Sequence, residues 1–423
     1  MLNTSGLSLE QAPPITIPLK FFITGALFFL LSGLLLAWQG EVLFASRWSP
    51  LALALTHLVT LGFLSQVMVG AMLQLLPVLG GAPQFAATHV SRGVHLLLSV
   101  GTLMLVGGFL YTQYSLLIFG AVVLALAFLL LLTAIGISLS RTESVWLQVK
   151  RLGLGWIALV PTVVLGVVLA LALGGELSVE DMSRLVDLHL SWGLLGWVGI
   201  VLFSSLFQLL SVFYITKEFS SVWRDRLLLS IVALMIAHSI MESLFDVQLR
   251  LPLLLLVALL VFCGIVVVRM IRRRKRAIVD ATLLFVWSGL LSLFLAPMVW
   301  VLDEDAVLLG IVLLGGVCLT IPIGIIYKVV PFLCWFHLQN LLIANRRFDY
   351  RLPMMNRFLG EKDSRRHFPI HMAGLFLLLA SRWLPPVSVR LAGVVFALSA
   401  LYLFKNILTA LILFRTEQKR ICT

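Results

Sequence analysis

Long apolar runs dominate the sequence, and they constrain the fold more than any other feature. We count twelve runs of about twenty residues, at about 18–37, 51–79, 93–111, 115–138, 152–174, 185–214, 226–247, 251–270, 278–301, 306–329, 368–384 and 388–414. A membrane core of ~30 Å requires this length at a helical rise of ~1.5 Å per residue. Because 61% of the residues are hydrophobic and 12% are charged, we predict an all-α polytopic integral membrane protein with about twelve transmembrane helices.

Basic residues gather after the even-numbered spans, where the positive-inside rule expects cytoplasmic connections. The densest run is 269–276 (RMIRRRKR), whereas acidic residues occupy connections after odd-numbered spans, as at 303–305. We therefore predict a multi-pass protein of a bacterial cytoplasmic (inner) membrane with both termini in the cytoplasm. The net charge of +12 follows from this topology. It predicts membrane lipid as a partner of the basic run and no nucleic acid.

A recurring pattern divides the chain into three blocks of four spans. In the second span of each block, a glycine stands twelve residues before a polar residue. These pairs are Gly62 and Gln74, Gly196 and Gln208, and Gly316 and Lys328. Chance is the alternative, since glycine is common in membrane helices, but the sequences QLLPV and QLLSV at matched positions favour repetition. We predict a single membrane domain over 1–423, with pseudo-repeats at about 18–140, 150–270 and 278–414.

Three histidines lie inside spans, close to the same face of the membrane. Counted from the outer ends of spans two, six and seven, His57, His189 and His238 lie ~9, ~6 and ~13 Å deep. Ionisable side chains in a bilayer are expensive and are by default functional, and imidazole is a ligand of haem iron and copper. We predict these three as cofactor- or metal-binding residues. Alternatively, each hydrogen-bonds a neighbouring helix. The other histidines, including His367 and His371, are predicted at or near cytoplasmic helix ends.

Span seven carries a polar stripe. His238, Glu242 and Asp246 are spaced four residues apart, so they share one helical face. The two carboxylates could orient a ligand histidine, or the stripe could form a proton path to the outer surface. It could also be only the polar side of a helix near its end.

Residues 57–83 resemble the second helix of subunit I of haem–copper oxidases and nitric oxide reductases. The shared pattern is H-x-x-x-x-G-F from His57, G-x-x-x-Q-L-L-P from Gly70 and GGAP at 80–83. That superfamily has twelve spans in three blocks of four, with both termini cytoplasmic. NnrS-like membrane proteins, linked to nitric oxide stress, are a related comparison. The resemblance implies that His57 ligates haem and that His189 and His238 fall in the spans that hold copper ligands.

The sequence departs from that superfamily at several ligand positions. Span six has HLSWG from His189 in place of H-x-x-x-Y, span seven has one histidine instead of an adjacent pair, and span ten lacks H-x-H. Oxygen reduction is therefore not expected, and whether the protein is an enzyme stays open. We predict a haem-binding protein (b-type haem, with copper as a further candidate) of respiratory or nitric-oxide-related metabolism.

Another respiratory or redox membrane subunit is a candidate partner. Two alternative functions remain. One is a transporter of a small solute or ion with a proton path through His238 and Glu242, and the other is a cofactor-free structural subunit of a membrane complex.

Overall fold

The computed structural model describes residues 12–80, 84–140, 148–217, 219–244, 251–302, 305–347 and 349–422, with only the backbone at 79–80, 148–154, 221 and 243–244. Within these ranges the chain forms helices and no strand, so the all-α prediction is confirmed. Helices are expected for apolar chains in lipid, because they satisfy every backbone hydrogen bond within the segment.

The described residues form twelve long helices, in the order of the twelve predicted runs. They are α1 (Thr16–Gln39), α2 (50–80), α3 (Ala87–Leu110), α4 (Tyr114–Ser140), α5 (Gln148–Leu173), α6 (Met182–Tyr214), α7 (Ser221–Leu244), α8 (Leu251–Arg272), α9 (Ala281–Leu302), α10 (Ala306–Ala344), α11 (Glu361–Ala380) and α12 (Val387–Cys422). Two short 3₁₀ turns, Gly40–Ala45 and Met355–Arg357, lie before α2 and α11. The predicted end of span ten is wrong, because α10 continues to Ala344 and contains His337.

Ten of these helices are long and apolar enough to cross a membrane; α7 and α11 are not among them. In α11 the first two turns are highly charged, which leaves an apolar part of ~21 Å at 1.5 Å per residue, less than the ~30 Å of a membrane core. Large apolar side chains such as Phe119 and Leu129 are more than 60% exposed, as expected for surfaces that face lipid. The protein is thus a multi-pass membrane protein, and twelve crossings are not confirmed.

Three of the helices contain a π-helical segment. The segments are Leu58–Ser65 in α2, Ser191–Val198 in α6 and Ile311–Leu319 in α10. π-Turns are rare and often occur at functional sites. Hydroxyls bond the carbonyls five residues earlier: Ser65 Oγ donates to Thr60 (2.7 Å), and Thr320 Oγ1 donates to Gly315 (2.8 Å). All three segments lie in the second helix of a predicted block of four.

Each π segment contains the glycine of the predicted repeat, and that glycine packs on the preceding long helix. A Cβ on Gly62 would lie 2.6 Å from Cγ of Phe28 in α1. One on Gly316 would collide with Ser292 of α9, and one on Gly196 would lie 3.3 Å from a carbon of α5. The first and second helices of each block thus pack in the same way.

The same three helices begin with a side-chain cap. Ser49 Oγ accepts from the Ala52 amide at the start of α2 (3.1 Å). Asp181 caps α6 and Asp305 caps α10 through amides two or three residues on. These caps satisfy amides that the helix leaves without partners. The negative charge of the two carboxylates is also stabilising at the positive end of the helix dipole.

The chain forms two compact units. The first includes Leu73–Gly108 and Gln113–Ile278, and the second includes Pro14–Met72, Phe109–Thr112 and Val279–Thr423. Small residues allow close helix crossings in each unit, as is common in membranes. In the first, Gly120 of α4 lies against α3; in the second, Gly393 of α12 lies against α1.

Candidate functional site

His57 occupies the turn of α2 directly before its π segment. Its Nδ1 lies 2.7 Å from the Leu53 carbonyl oxygen, and its ring stacks on Phe109 at 5.1 Å between centroids. The carbonyl makes Nδ1 the protonated nitrogen of a neutral ring, so the lone pair is on Nε2. A backbone carbonyl orients many metal-binding histidines in this way. His337 has the same bond to Leu333 (2.9 Å), so this bond alone does not identify a ligand.

His189 docks on the neighbouring helix. It lies in α6, two residues before the second π segment, and its Nδ1 is 3.0 Å from the Thr162 carbonyl of α5. Gly166 of α5 makes room for the ring, since a Cβ there would lie 3.1 Å from His189 Cε1. This contact is the hydrogen bond to a neighbouring helix that we gave as the alternative to cofactor binding. It also holds the ring through Nδ1, as the carbonyl bonds of many metal-binding histidines do.

His238 lies on α7 and is buried. Its Nδ1 is buried and makes no hydrogen bond to the residues that the structure describes. Glu242, one turn along, has Oε2 4.0 Å from Nε of Arg184 in α6, so the acidic stripe faces a guanidinium. Asp246 lies outside the described residues. The stripe on α7 is thus partly neutralised at Glu242.

The predicted ligands belong to different units: His189 and His238 to the first, and His57 to the second. Within the described ranges, no three or more His, Cys, Asp or Glu side chains form a group that could hold a metal ion. Haem iron needs only one or two axial ligands and does not require such a group. The ligand roles of all three histidines therefore stay predictions.

A second cluster of histidines was missed by the sequence analysis. His367 and His371 of α11 are fully buried, and His367 lies inside the helix and not in a connection. That this end of α11 is cytoplasmic stays a prediction. Their spacing of four residues, in HFPIH, puts both on one face of α11. The signal was present but ambiguous, because five nearby charged residues make this stretch resemble a connection between spans.

Hydroxyl and amide side chains connect the two histidines to α10 and α12. The connected side chains, called the histidine chain below, are Asn406, Tyr327, His367, Ser399, His371 and Thr320. Asn406 Nδ2 lies 2.8 Å from Tyr327 Oη, which lies 2.7 Å from His367 Nδ1. His367 Nε2 lies 2.7 Å from Ser399 Oγ, which lies 3.1 Å from His371 Nδ1. His371 Nε2 lies 3.0 Å from Thr320 Oγ1.

The hydrogens of the histidine chain all point the same way. Thr320 donates to the Gly315 carbonyl, so it accepts from His371 Nε2–H, and in a neutral ring His371 Nδ1 then accepts from Ser399. Ser399 then accepts from His367 Nε2–H, and His367 Nδ1 accepts from the Tyr327 hydroxyl, which accepts from the Asn406 amide. With both rings neutral, every ring nitrogen and hydroxyl of the chain has a partner.

Aromatic rings enclose these imidazoles. Tyr402 stacks on His367 (5.6 Å between centroids), and Phe285 lies 5.6 and 5.7 Å from His367 and His371. Phe29 and Phe396 contact His371 from α1 and α12. In such low-dielectric surroundings a fully satisfied polar network is strong, and a broken one is costly.

A buried ion pair lies on the turn beside Tyr327. Lys328 Nζ contacts Asp280 Oδ2, and Asp280 Oδ1 accepts from the Leu283 amide at the start of α9 (3.2 Å). Both charged residues are less than 10% exposed. Lys328 is the counterpart of Gln74 and Gln208 in the predicted repeats, so the third repeat carries a charge where the others carry an amide.

A cavity of about 140 Å³ lies in the second unit. It is bounded by α1, α2, α10, α11 and α12, and its mostly apolar wall includes Phe29, Phe396 and Gly315. The polar lining residues are Arg47, Ser32 and Thr56, the neighbour of His57. At ~30 Å³ per molecule, about five waters would fill it.

No protein-family model and no curated protein matches this chain.

Proposed function

We propose that this chain binds a b-type haem through His57 and serves respiratory or nitric-oxide-related metabolism in a membrane. The observation that carries the proposal is the geometry of His57. Its Nδ1 is held by the Leu53 carbonyl, its Nε2 has no hydrogen bond to the described residues, and it stands directly before a π segment. These are features of an oriented axial ligand beside a functional helix distortion.

The helix arrangement supports the architecture that goes with this function. Twelve spans in three pseudo-repeats would place a π segment, its glycine and an N-terminal cap in the second helix of every block. All three features recur in α2, α6 and α10. Without repeats, each of these features would have had to arise three times by chance. We therefore propose that the three blocks of four helices share one structural plan.

The second unit offers part of a haem site. Thr56, which adjoins His57 in the chain, and the π segment of α10 line the cavity, and Arg47 could meet the carboxylates of a haem. His57 itself is not among the lining residues. At about 140 Å³ the cavity is smaller than the ~300–1,000 Å³ of pockets for drug-sized ligands. Haem binding there requires the lining helices to move apart. When bound, the iron would supply a site for electron transfer or for a small gas.

Copper receives less support than haem. It usually takes several soft or imidazole ligands at one point, and the described part of the chain brings no three His, Cys, Asp or Glu side chains together as a metal group. We therefore confine the proposal to haem.

Replacing His57 tests the proposal directly. We expect His57→Ala to retain haem at least ~10-fold more weakly than the unchanged protein, because the iron loses its protein ligand. Haem content is measured by the Soret band and pyridine haemochrome of purified protein. His337→Ala is the matched control, since it removes an imidazole with the same carbonyl bond and should keep the haem. A colourless unchanged protein that also fails to take up added haem would contradict the proposal.

A proton-coupled transporter is the second candidate function. It is favoured by His238, whose buried Nδ1 has no partner in the described residues, and by Glu242 one turn away. Colour separates the two candidates, because a transporter of this kind needs no haem.

Cysteine labelling tests the twelve crossings. With Cys422, which is exposed, replaced by serine, a membrane-impermeant maleimide added outside the cell should label Glu304→Cys and not Lys275→Cys. The reason is that acidic residues mark outer connections and basic ones mark cytoplasmic connections. The opposite pattern would exclude the proposed topology.

A further inference from the structure

We propose that the histidine chain is a proton relay within the second unit. Its residues lie on α10, α11 and α12, and none of them takes part in the haem proposal. The inference rests on the continuity and the common direction of its hydrogen bonds, and it is independent of whether haem binds.

Each imidazole of the chain is ready to receive and release a proton. His367 accepts at Nδ1 from Tyr327 and donates from Nε2 to Ser399; His371 accepts at Nδ1 from Ser399 and donates from Nε2 to Thr320. The single direction is the arrangement that lets a proton pass along the chain by successive transfers.

The transfer can be written bond by bond. The O–H bond of Tyr327 breaks as N–H forms at His367 Nδ1, and the His367 Nε2–H proton passes to Ser399. The Ser399 proton passes to His371 Nδ1, and the His371 Nε2–H proton passes to Thr320. Thr320 releases its own proton to water once its hydroxyl turns from the Gly315 carbonyl to the cavity that Gly315 lines. Tyr327 regains a proton from water, so one proton moves and nothing is oxidised or reduced. Return of the rings to their first tautomers resets the chain.

The two ends of the chain lie beside different features of the second unit. At one end, Gly315, which accepts from Thr320, lines the cavity of about 140 Å³. At the other end, Asp363 lies in the first turn of α11, four residues before His367 and so on the same helical face, and it is partly exposed. A carboxylate in that position can collect protons from water for the tyrosine.

Other titratable groups flank the chain without belonging to it. Tyr402 of α12 stacks on His367, and Lys405 lies 5.6 Å from the Tyr402 ring. Lys328 and Asp280 neutralise each other on the next turn. Tyr402 is therefore a matched control for Tyr327: it has the same side chain and contacts the same imidazole, but no hydrogen bond joins it to the chain.

Proton flux through reconstituted protein tests the relay. The purified full-length chain is placed in vesicles that contain a pH-sensitive dye, and a potassium gradient with valinomycin drives protons across the membrane. The unchanged protein should carry flux above protein-free vesicles. Tyr327→Phe and Thr320→Val, which remove one hydroxyl each, should reduce it at least ~10-fold. Tyr402→Phe and Thr320→Ser should retain it.

A merely structural network predicts a different outcome. In that case the two hydroxyl deletions lower the thermal stability but not the flux, or the unchanged protein shows no flux at all. Either result overturns the relay. If Tyr327→Phe fails to fold, the comparison of Thr320→Val with Thr320→Ser decides between a relay and a structural network. Because the assay needs no haem, its failure is distinct from a failure of the proposed function.

Discussion

Asp280→Ala should destabilise the protein by ~3–5 kcal/mol, because it leaves the buried Lys328 ammonium without its carboxylate. Both residues are less than 10% exposed, so water cannot replace the lost partner. The substitution also removes the cap on the Leu283 amide, which adds ~1 kcal/mol. The free thiols of Cys263, Cys318 and Cys334 are buried. With the exposed Cys422 replaced by serine, a thiol-reactive dye therefore reports unfolding as the protein is heated.

Two further variants separate charge from capping. Asp280→Asn keeps an oxygen for the cap and removes only the charge, so it should cost less than Asp280→Ala. Adding Lys328→Gln to it should recover most of the loss, since glutamine stands at the matched positions of α2 and α6. Arg390→Ala breaks a half-exposed pair with Glu41 (3.0 Å) and should cost ~0–1 kcal/mol. A double variant no more stable than Asp280→Asn would show that the pair is not the cause.

Gly393→Ala should separate α1 from α12. An added Cβ would collide with the Ala37 amide and lie 2.7 Å from the Leu36 carbonyl carbon. On the other helix, a Cβ on Gly33 would lie 2.5 Å from the Ala397 nitrogen. These obstacles are backbone atoms, which cannot rotate away as a side chain can. We expect a loss of ~1–3 kcal/mol or more, seen as a lower unfolding temperature.

Gly136→Ala is the matched control for this crossing. Gly136 also lies in a helix, α4, but a Cβ there meets nothing within 4 Å. Alanine is the better helix former by ~1 kcal/mol, so this variant should be as stable as the unchanged protein or slightly more so. Equal losses at both positions would refute the proposed close crossing.

The three π segments could be predicted from the sequence only in part. The spacing from Gly62 to Gln74 and its two counterparts drew attention to the segments that became π-helical. It could not predict a π-turn, because helix type depends on how the chain packs against the preceding helix, as Phe28 packs on Gly62.

The histidines show where sequence reasoning failed. His57, His189 and His238 were singled out by their depth in apolar runs, and the structure places them in two units. His367 and His371 were predicted at or near cytoplasmic helix ends, because charged residues precede them. Both are fully buried. Their partners Tyr327 and Ser399 lie 40 and 32 residues away from His367, which no local pattern can reveal.

The sequence by itself determined the twelve long helices, their order and the membrane setting. The physical reason is that a backbone in lipid must bond to itself, so each apolar run of sufficient length becomes a helix whatever surrounds it. Tertiary structure decided which polar side chains meet. In helices that are apolar on nearly every side, periodicity does not mark the buried face. Contacts such as those of Ser399 with both imidazoles arise only when three helices pack together.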